Sequence, residues 1–332
     1  MDFSELSALI RSYNSFGLFC HINPDGDCVG AVLAMYHFLK GLGRSVYAVS
    51  CHGAPSFFRF LPGADEVISA EKARQLTVEV AVTLDCGDEK RVGDELIPAL
   101  RRAARRVNID HHISNNSDFA DLNYVDPHAS STCEIIYRFF EQEKFNITPD
   151  IAACLYTGIM FDTGRFKYAT TTPEVFRVCS ALVAAGADPG AIAVRVYDQR
   201  SLPHLHLLGY ALSNLRTDED GALLWSVIEQ QQMKEMKVTD EDFDGVVEVL
   251  GAYRKSEVYI LFSATDNGRV RVNLRSKGGV DVSGVAVKFG GGGHRCAAGL
   301  RSKKPMAELI ESVLNECRAR LREWGGAGER KC

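Results

Sequence analysis

The chain has 332 residues, 46% of them apolar and 24% charged, the balance of a globular protein with room for two ordinary domains. Its formal net charge of −5 argues against a long nucleic acid as partner, because tracking a polymer rests on neutralising many phosphates, but leaves a short one open. No run of eighteen apolar residues predicts a membrane span, and MDFSELSALIRSYNSF lacks the apolar stretch and cleavage site of a signal peptide.

The first half alternates short apolar strands with amphipathic helices. SFGLFCH (15–21) reads as a strand and CVGAVLAMYHFLKGLG (28–43) as a helix closed by Gly41 and Gly43. SVYAVSC (45–51), EVISA (66–70), VEVAVTLD (78–85) and RRVNID (105–110) continue the strand series, with DELIPALRRAAR (94–105) as a helix between the last two. The arginines of RRAARR (101–106) fall on one helix face and read as a solvated one. After Asp126 the pattern is helical: STCEIIYRFFEQE (131–143), IAACLYTGIMFDTG (151–164) and TPEVFRVCSALVAAG (172–186). ADPG (187–190) is a turn, and a helical connector runs on over 191–205.

A smaller unit follows. GALLWSVIE (221–229) is a strand, FDGVVEVLGAY (243–253) a helix, and SEVYILFSAT (256–265) and RVRVNLRS (269–276) form a hairpin about Asp266-Asn267-Gly268. A glycine-rich GGGGH run and the helix PMAELIESVLNECRARLREWG (305–325) complete it. The expected fold class is α/β: a mostly parallel sheet with helices on both faces over 1–190, and a smaller C-terminal α/β domain over 206–324. The active site is expected in the cleft between them, and residues 325–332 form a polar tail. Ten cysteines include no C-x-x-C pair, so they read as small buried hydrophobes in a reducing cytoplasm rather than zinc or redox motifs.

The chemistry-bearing residues fall where strands end. His21, Asp25 and Asp27 lie in H-I-N-P-D-G-D after the first strand, Asp85 ends VEVAVTLD, and Asp110, His111 and His112 end RRVNID-HH. Asp162 arrives from the helix IAACLYTGIMFD. In an open parallel sheet, ligands bind outside the carboxyl ends of the strands. Singly, Asp27 or Asp85 could be a helix N-cap. Together, such a set is electrostatically costly unless a cation compensates it. Carboxylates with a minority of imidazoles and no thiolate suit manganese or magnesium, and two ions about 3.5–4 Å apart fit so many anionic ligands. Water held between them would attack phosphorus as hydroxide. In the second domain, Gly290, Gly291, Gly292 and Gly293 free backbone N–H groups for an anion, with His294 directly after. Arg271, Arg275 and Ser276 either grip phosphates or, for the arginines, line an exposed strand face.

At these residues the sequence resembles the DHH phosphoesterase superfamily, through H-I-N-P-D-G-D (21–27), L-D-C-G-D (84–88), D-H-H (110–112), F-D-T-G (161–164) and GGGGHRCAAG (290–299). The resemblance implies that His21, Asp25 and Asp85 hold one metal, and Asp27, Asp85, His111 and Asp162 the other, with Asp85 bridging. Manganese is the first choice, with magnesium or cobalt as alternatives. It further implies that Asp110 orients an imidazole, that His112 points to the substrate phosphate, and that His294 binds a phosphate from the second domain. Length and domain order resemble the nanoRNase group, which degrades oligoribonucleotides of a few residues and in many members dephosphorylates 3′-phosphoadenosine 5′-phosphate (pAp). Phosphodiesterases for linear or cyclic dinucleotides such as pApA and c-di-AMP have the same plan. Manganese pyrophosphatases lack the GGGH run, and a regulatory nucleotide binder would not need the intact ligand set. Short single-stranded RNA or nucleotides are thus the expected partners, with no membrane and no long nucleic-acid channel. The family makes a homodimer reasonable.

Overall fold

The computed structural model describes residues 1–113, 115–116, 118–218, 220–265 and 268–326, apart from the side chain of His294. The expected turn at Asp266-Asn267 and the tail from residue 327 lie outside the described residues. The chain divides into two units, Met1–Gln199 and the part from Arg200 onward.

In the first unit, strands β1 (Ser15–Phe19), β2 (Ser45–Val49), β3 (Val80–Leu84), β4 (Arg105–Asp110) and β5 (Leu122–Val125) form a wholly parallel sheet in the order β2-β1-β3-β4-β5. Every residue of β3 is buried, as expected for a parallel strand covered on both faces. Alternate residues feed two cores: Leu18 and Val82 point into one, Phe19 and Ala81 into the other. The helices are α1 (Ser4–Ser12), α2 (Gly26–Gly41), α3 (Ala70–Ala73), α4 (Ile97–Arg102), α5 (Thr132–Gln142), α6 (Pro149–Asp162), α7 (Pro173–Ala184) and α8 (Pro189–Tyr197). The strand order reverses between β1 and β3, which opens a crevice at their carboxyl ends.

Several expectations need correcting. EVISA is not a strand. Only Ile68 bridges to Val49, because a short 3-10 turn at Ala64–Glu66 precedes it and α3 starts at Ala70. Strand β5 was not anticipated; it is an edge strand in which Tyr124 alone is buried, so its apolar signal is weak. Helix α1 was also not anticipated, although Leu6, Leu9 and Ile10 are buried beside Phe3. The helix expected from residue 28 starts at Gly26 because Asp25 caps it, accepting from the N–H groups of Asp27 and Cys28.

The second unit holds a mixed six-stranded sheet. Its strands are β6 (Arg216–Thr217), β7 (Leu223–Ile228), β8 (Val258–Ala264), β9 (Val270–Ser276), β10 (Gly292–His294) and β11 (Ala297–Ser302), in the order β10-β11-β9-β8-β7-β6. Only β7 and β8 run parallel. The helices are α9 (Leu202–Ser213), α10 (Gln230–Met236), α11 (Val246–Leu250), α12 (Val282–Lys288) and α13 (Met306–Gly326). The connector expected over 191–205 is divided between the units: Ile192 and Val196 of α8 join the first core, and Leu207 and Ala211 of α9 the second. Among the described residues, no single helix is long and apolar enough to cross a membrane.

Candidate metal centre

The loop leaving β1 carries His21 and Asp25, and Asp27 lies in the first turn of α2. His21 turns Nδ1 to the carbonyl of Ile22 (2.8 Å), so its Nε2 faces Asp85 Oδ2 (3.4 Å) and Asp25 Oδ1 (3.9 Å). Asp85 follows β3 with a left-handed backbone (φ 61°), pinned by its N–H donating to Ile109 O (3.0 Å). Aspartate tolerates this region better than most residues, and an outlier here is the kind of strain that collects at functional sites.

His111, at the end of β4, meets the second group of carboxylates. Its Nε2 lies 3.0 Å from Asp162 Oδ2, 3.6 Å from Asp85 Oδ1 and 3.9 Å from Asp27 Oδ2. Asp85 therefore presents Oδ2 to His21 and Oδ1 to His111. Beside it, Asp110 Oδ1 accepts from His112 Nδ1 (2.7 Å), and Asp110 Oδ2 accepts from the Asn115 amide. His112 Nδ1 is also 3.5 Å from Asp85 Oδ1. All seven expected residues, His21, Asp25, Asp27, Asp85, His111, Asp162 and His112, thus come together, with Asp110 behind His112.

Sequence reasoning missed the groups that hold these ligands. Asp27 sits on the N-terminus of α5, its Oδ2 accepting from Thr132 N–H (2.6 Å) and its Oδ1 from Cys133 N–H (3.0 Å). Thr132 Oγ1 donates to Asp85 Oδ1 (3.2 Å). The S-x-x-E pattern at Ser131 to Glu134 was the available signal for that helix start; Ser131 Oγ accepts from Glu134 N–H (3.1 Å). Asn115 had no comparable signal.

Burial pushes the Asp27 carboxyl well above its usual range, and the charges of Asp85 and Asp162 add to this. Burial likewise raises Asp162, helped by Asp25 and Asp85 and opposed by His111, to about 6. Desolvation works against the charge of Asp25, but His21 and the cap N–H groups outweigh it and hold its carboxyl down to about 2. Desolvation also opposes a charged His111, yet Asp162, then Asp27 and Asp85, raise it to about 11. The donor set fits divalent cations: buried carboxylates repel one another, with only imidazoles to compensate them, and every donor is a hard oxygen or a nitrogen. Cys28 lies near His21 and Asp85, but its thiol already donates to Leu84 O and accepts from His21 N–H, and burial keeps it protonated.

In the second unit the glycine run is used differently from the expectation at its start. The N–H groups of Gly290 and Gly291 donate to Val287 O and Ala286 O and so cap α12. Gly292 and Gly293 run in β10 against β11, where a Cβ on Gly293 would lie 2.5 Å from Ala297 O. Arg271 pairs with Asp240, Arg275 Nε donates to Glu248 (2.9 Å), and Ser276 Oγ donates to Val280 O (2.7 Å). The His294 side chain lies outside the described residues.

The parallel sheet gathers carboxylates and imidazoles at its switch point into a site that suits divalent cations, and the relatives of the chain make its class a hydrolase of phosphoesters. Two family models match the chain: "DHH family, N-terminal domain" over residues 15–159 and "DHHA1 domain" over 224–324. The chain belongs to the DHH family. It is 32% identical to a Thermus thermophilus protein named bifunctional oligoribonuclease and PAP phosphatase NrnA, over 92% of this chain and 90% of that one. A Streptococcus mutans protein named probable bifunctional oligoribonuclease and PAP phosphatase NrnA is 30% identical over 90% and 93%. Among solved structures, an exopolyphosphatase-related protein from Bacteroides fragilis matches with a TM-score of 0.91 and 25% identity, over 96% of this chain and 97% of that one.

Proposed function

We propose that the chain hydrolyses short oligoribonucleotides to mononucleotides and removes a phosphate from pAp, using two divalent cations, manganese before magnesium or cobalt. The observation that carries this reading is Asp85, one oxygen turned to His21 and the other to His111. His21, Asp25 and Asp85 would hold one cation, and Asp27, Asp85, His111 and Asp162 the other. When bound, the cations would lower the pKa of a water molecule and neutralise phosphate oxygens. The α5 N-terminus holds Asp27 in place through two N–H bonds, and Thr132 does the same for Asp85.

Asp110 gives His112 its role. Burial opposes charge on the His112 ring, but Asp110, which accepts a hydrogen bond from Nδ1–H, and Asp85 outweigh it and favour the charged form. His112 can then keep a proton at Nδ1 and offer the one at Nε2 to the leaving oxygen. The names of the two relatives support the substrate class.

The test is a manganese-supplemented digest of a 5′-labelled RNA dinucleotide and trinucleotide, pAp and pyrophosphate. Release of mononucleotides from the oligomers supports the reading, and phosphate release from pAp supports the second activity. Hydrolysis of pyrophosphate alone, or no product from any substrate, overturns it.

A further inference from the structure

Directly after Asp162 the chain does more than end a helix. Gly164, Arg165 and Phe166 all take left-handed backbone, at φ 58°, 62° and 64°. One glycine in that region suffices to close a helix, and each of the two other residues adds about 1–2 kcal/mol of strain. The turn is fastened on several sides. Arg165 N–H donates to Met160 O (2.9 Å), Phe166 N–H to Thr163 Oγ1 (3.1 Å), and the N–H groups of Lys167 and Tyr168 to Thr163 O (2.9 Å each). The Phe166 ring packs on Phe176, with centroids 5.6 Å apart. Strain held this firmly marks a place where the direction of the chain matters.

The turn sends Phe166 inward and sets Arg165 on Tyr197. The Arg165 guanidinium carbon lies 3.7 Å from the centroid of the Tyr197 ring, whose hydroxyl is tied to Met160 O (3.4 Å). Exposed Arg165 has no carboxylate partner among the described residues and is held instead by the Tyr197 ring. An aromatic ring fixes a guanidinium without neutralising it. The Tyr197 hydroxyl senses the charge of both Arg165 and Asp162. The charges that act most on Asp27 and Asp162, in contrast, are those of the aspartates and His111. Arg165 lies three residues beyond Asp162, in the turn that closes α6.

We propose that Arg165 is a substrate-binding residue that grips a phosphate neighbouring the one being hydrolysed, so that substrates with several phosphates are preferred to a lone phosphodiester. A stacked guanidinium without a carboxylate partner suits this task, since its planar donors match two phosphate oxygens and little freedom is lost on binding. The inference rests on the hydrolase reading above, with Asp162 as a ligand.

The test compares pApAp, which carries flanking phosphates, with ApA, which has one phosphodiester. Both are offered to the full manganese-loaded chain as wild type, Arg165→Met, Arg165→Lys and Lys167→Met. Arg165→Met should raise KM for pApAp by about 10-fold or more, the worth of a charge-assisted pair. Its kcat, its ApA kinetics and its manganese affinity by titration calorimetry should stay near wild type. Arg165→Lys should recover part of the loss, and Lys167→Met should behave as wild type. Unchanged KM for pApAp, an equal loss on ApA, weakened manganese binding, or the same loss in Lys167→Met each overturns the assignment. If the wild type leaves pApAp and ApA intact, the hydrolase reading falls and this inference with it. A wild type that cleaves pApAp beside an unaffected Arg165→Met sinks the inference alone.

Discussion

Gly158 packs α6 against Cys133 and Asp27, and replacing it with alanine should separate packing from chemistry. A Cβ there would lie 2.3 Å from Cys133 Sγ, 2.7 Å from Asp27 Oδ1 and 3.1 Å from Asp27 Cα. Non-bonded heavy atoms settle at about 3.5–4 Å, so the thiol must retreat by at least about 1.2 Å and the carboxylate by at least about 0.8 Å. Neither is the loose end of a long side chain. Both are fully buried, and Asp27 is tied to Thr132 and Cys133. Site geometry tolerates about 0.5 Å of displacement. Gly158→Ala should therefore cost about 1–3 kcal/mol by overpacking, roughly 2–12 °C in Tm for a unit of this size. It should also weaken manganese binding by about 10-fold or more, the range seen when groups supporting metal ligands are disturbed. Gly30→Ala is the control: its Cβ would meet Cys154 O at 2.5 Å, and none of its three closest atoms belongs to a ligand. That variant should lose comparable stability and bind manganese nearly as wild type. Thermal unfolding and titration calorimetry decide between them. Wild-type affinity in Gly158→Ala, or an equal loss in Gly30→Ala, refutes the argument.

Asp85→Asn should abolish turnover and leave at most one tight manganese equivalent by calorimetry; unchanged turnover at matched manganese would remove Asp85 from its shared position. Asp110→Asn should keep the bound metal and lower kcat by roughly 10- to 100-fold, because His112 loses the group that orients it. His294→Ala should mainly raise KM for short RNA, and a fall in kcat alone would assign His294 to the transition state instead. Manganese affinity should fall as pH falls through about 6, where Asp162 takes up its proton, and rise with pH above it, because His111, held to about 11, must release a proton to bind metal. Calorimetry in buffers of different ionisation enthalpy would detect that proton, and pH-independent affinity would contradict the assignment.

The donors were legible because each ends a regular element whose period shows in the sequence. His21 follows β1, Asp85 follows β3, His111 follows β4 and Asp162 ends α6. Their supports were not legible, because they depend on distant chain: Asp27 is held by Thr132 and Cys133, more than a hundred residues away. The same holds in the second unit. Arg271 and Arg275 read either as phosphate ligands or as an exposed strand face, and their pairing with Asp240 and Glu248, on other elements, had no signal in the sequence. EVISA failed for a local reason, since its short apolar pattern could not reveal that a 3-10 turn and α3 take up all but Ile68.

The same crowding that makes the site costly tells what it is built to receive. Three carboxylates, Asp27, Asp85 and Asp162, surround one imidazole, and none of the arginines described in ion pairs of the first unit reaches them. Protons can balance the charge only in part. They favour Asp27 as an acid and His111 as a cation, and Asp162 as an acid only below about pH 6, so each protonation that relieves one repulsion removes a donor lone pair. A divalent ion relieves the repulsions without that loss, and its binding energy then stabilises the fold by mass action. The backbone strain at Asp85 fits the same account, because it is spent on aiming one carboxylate at two groups of donors at once.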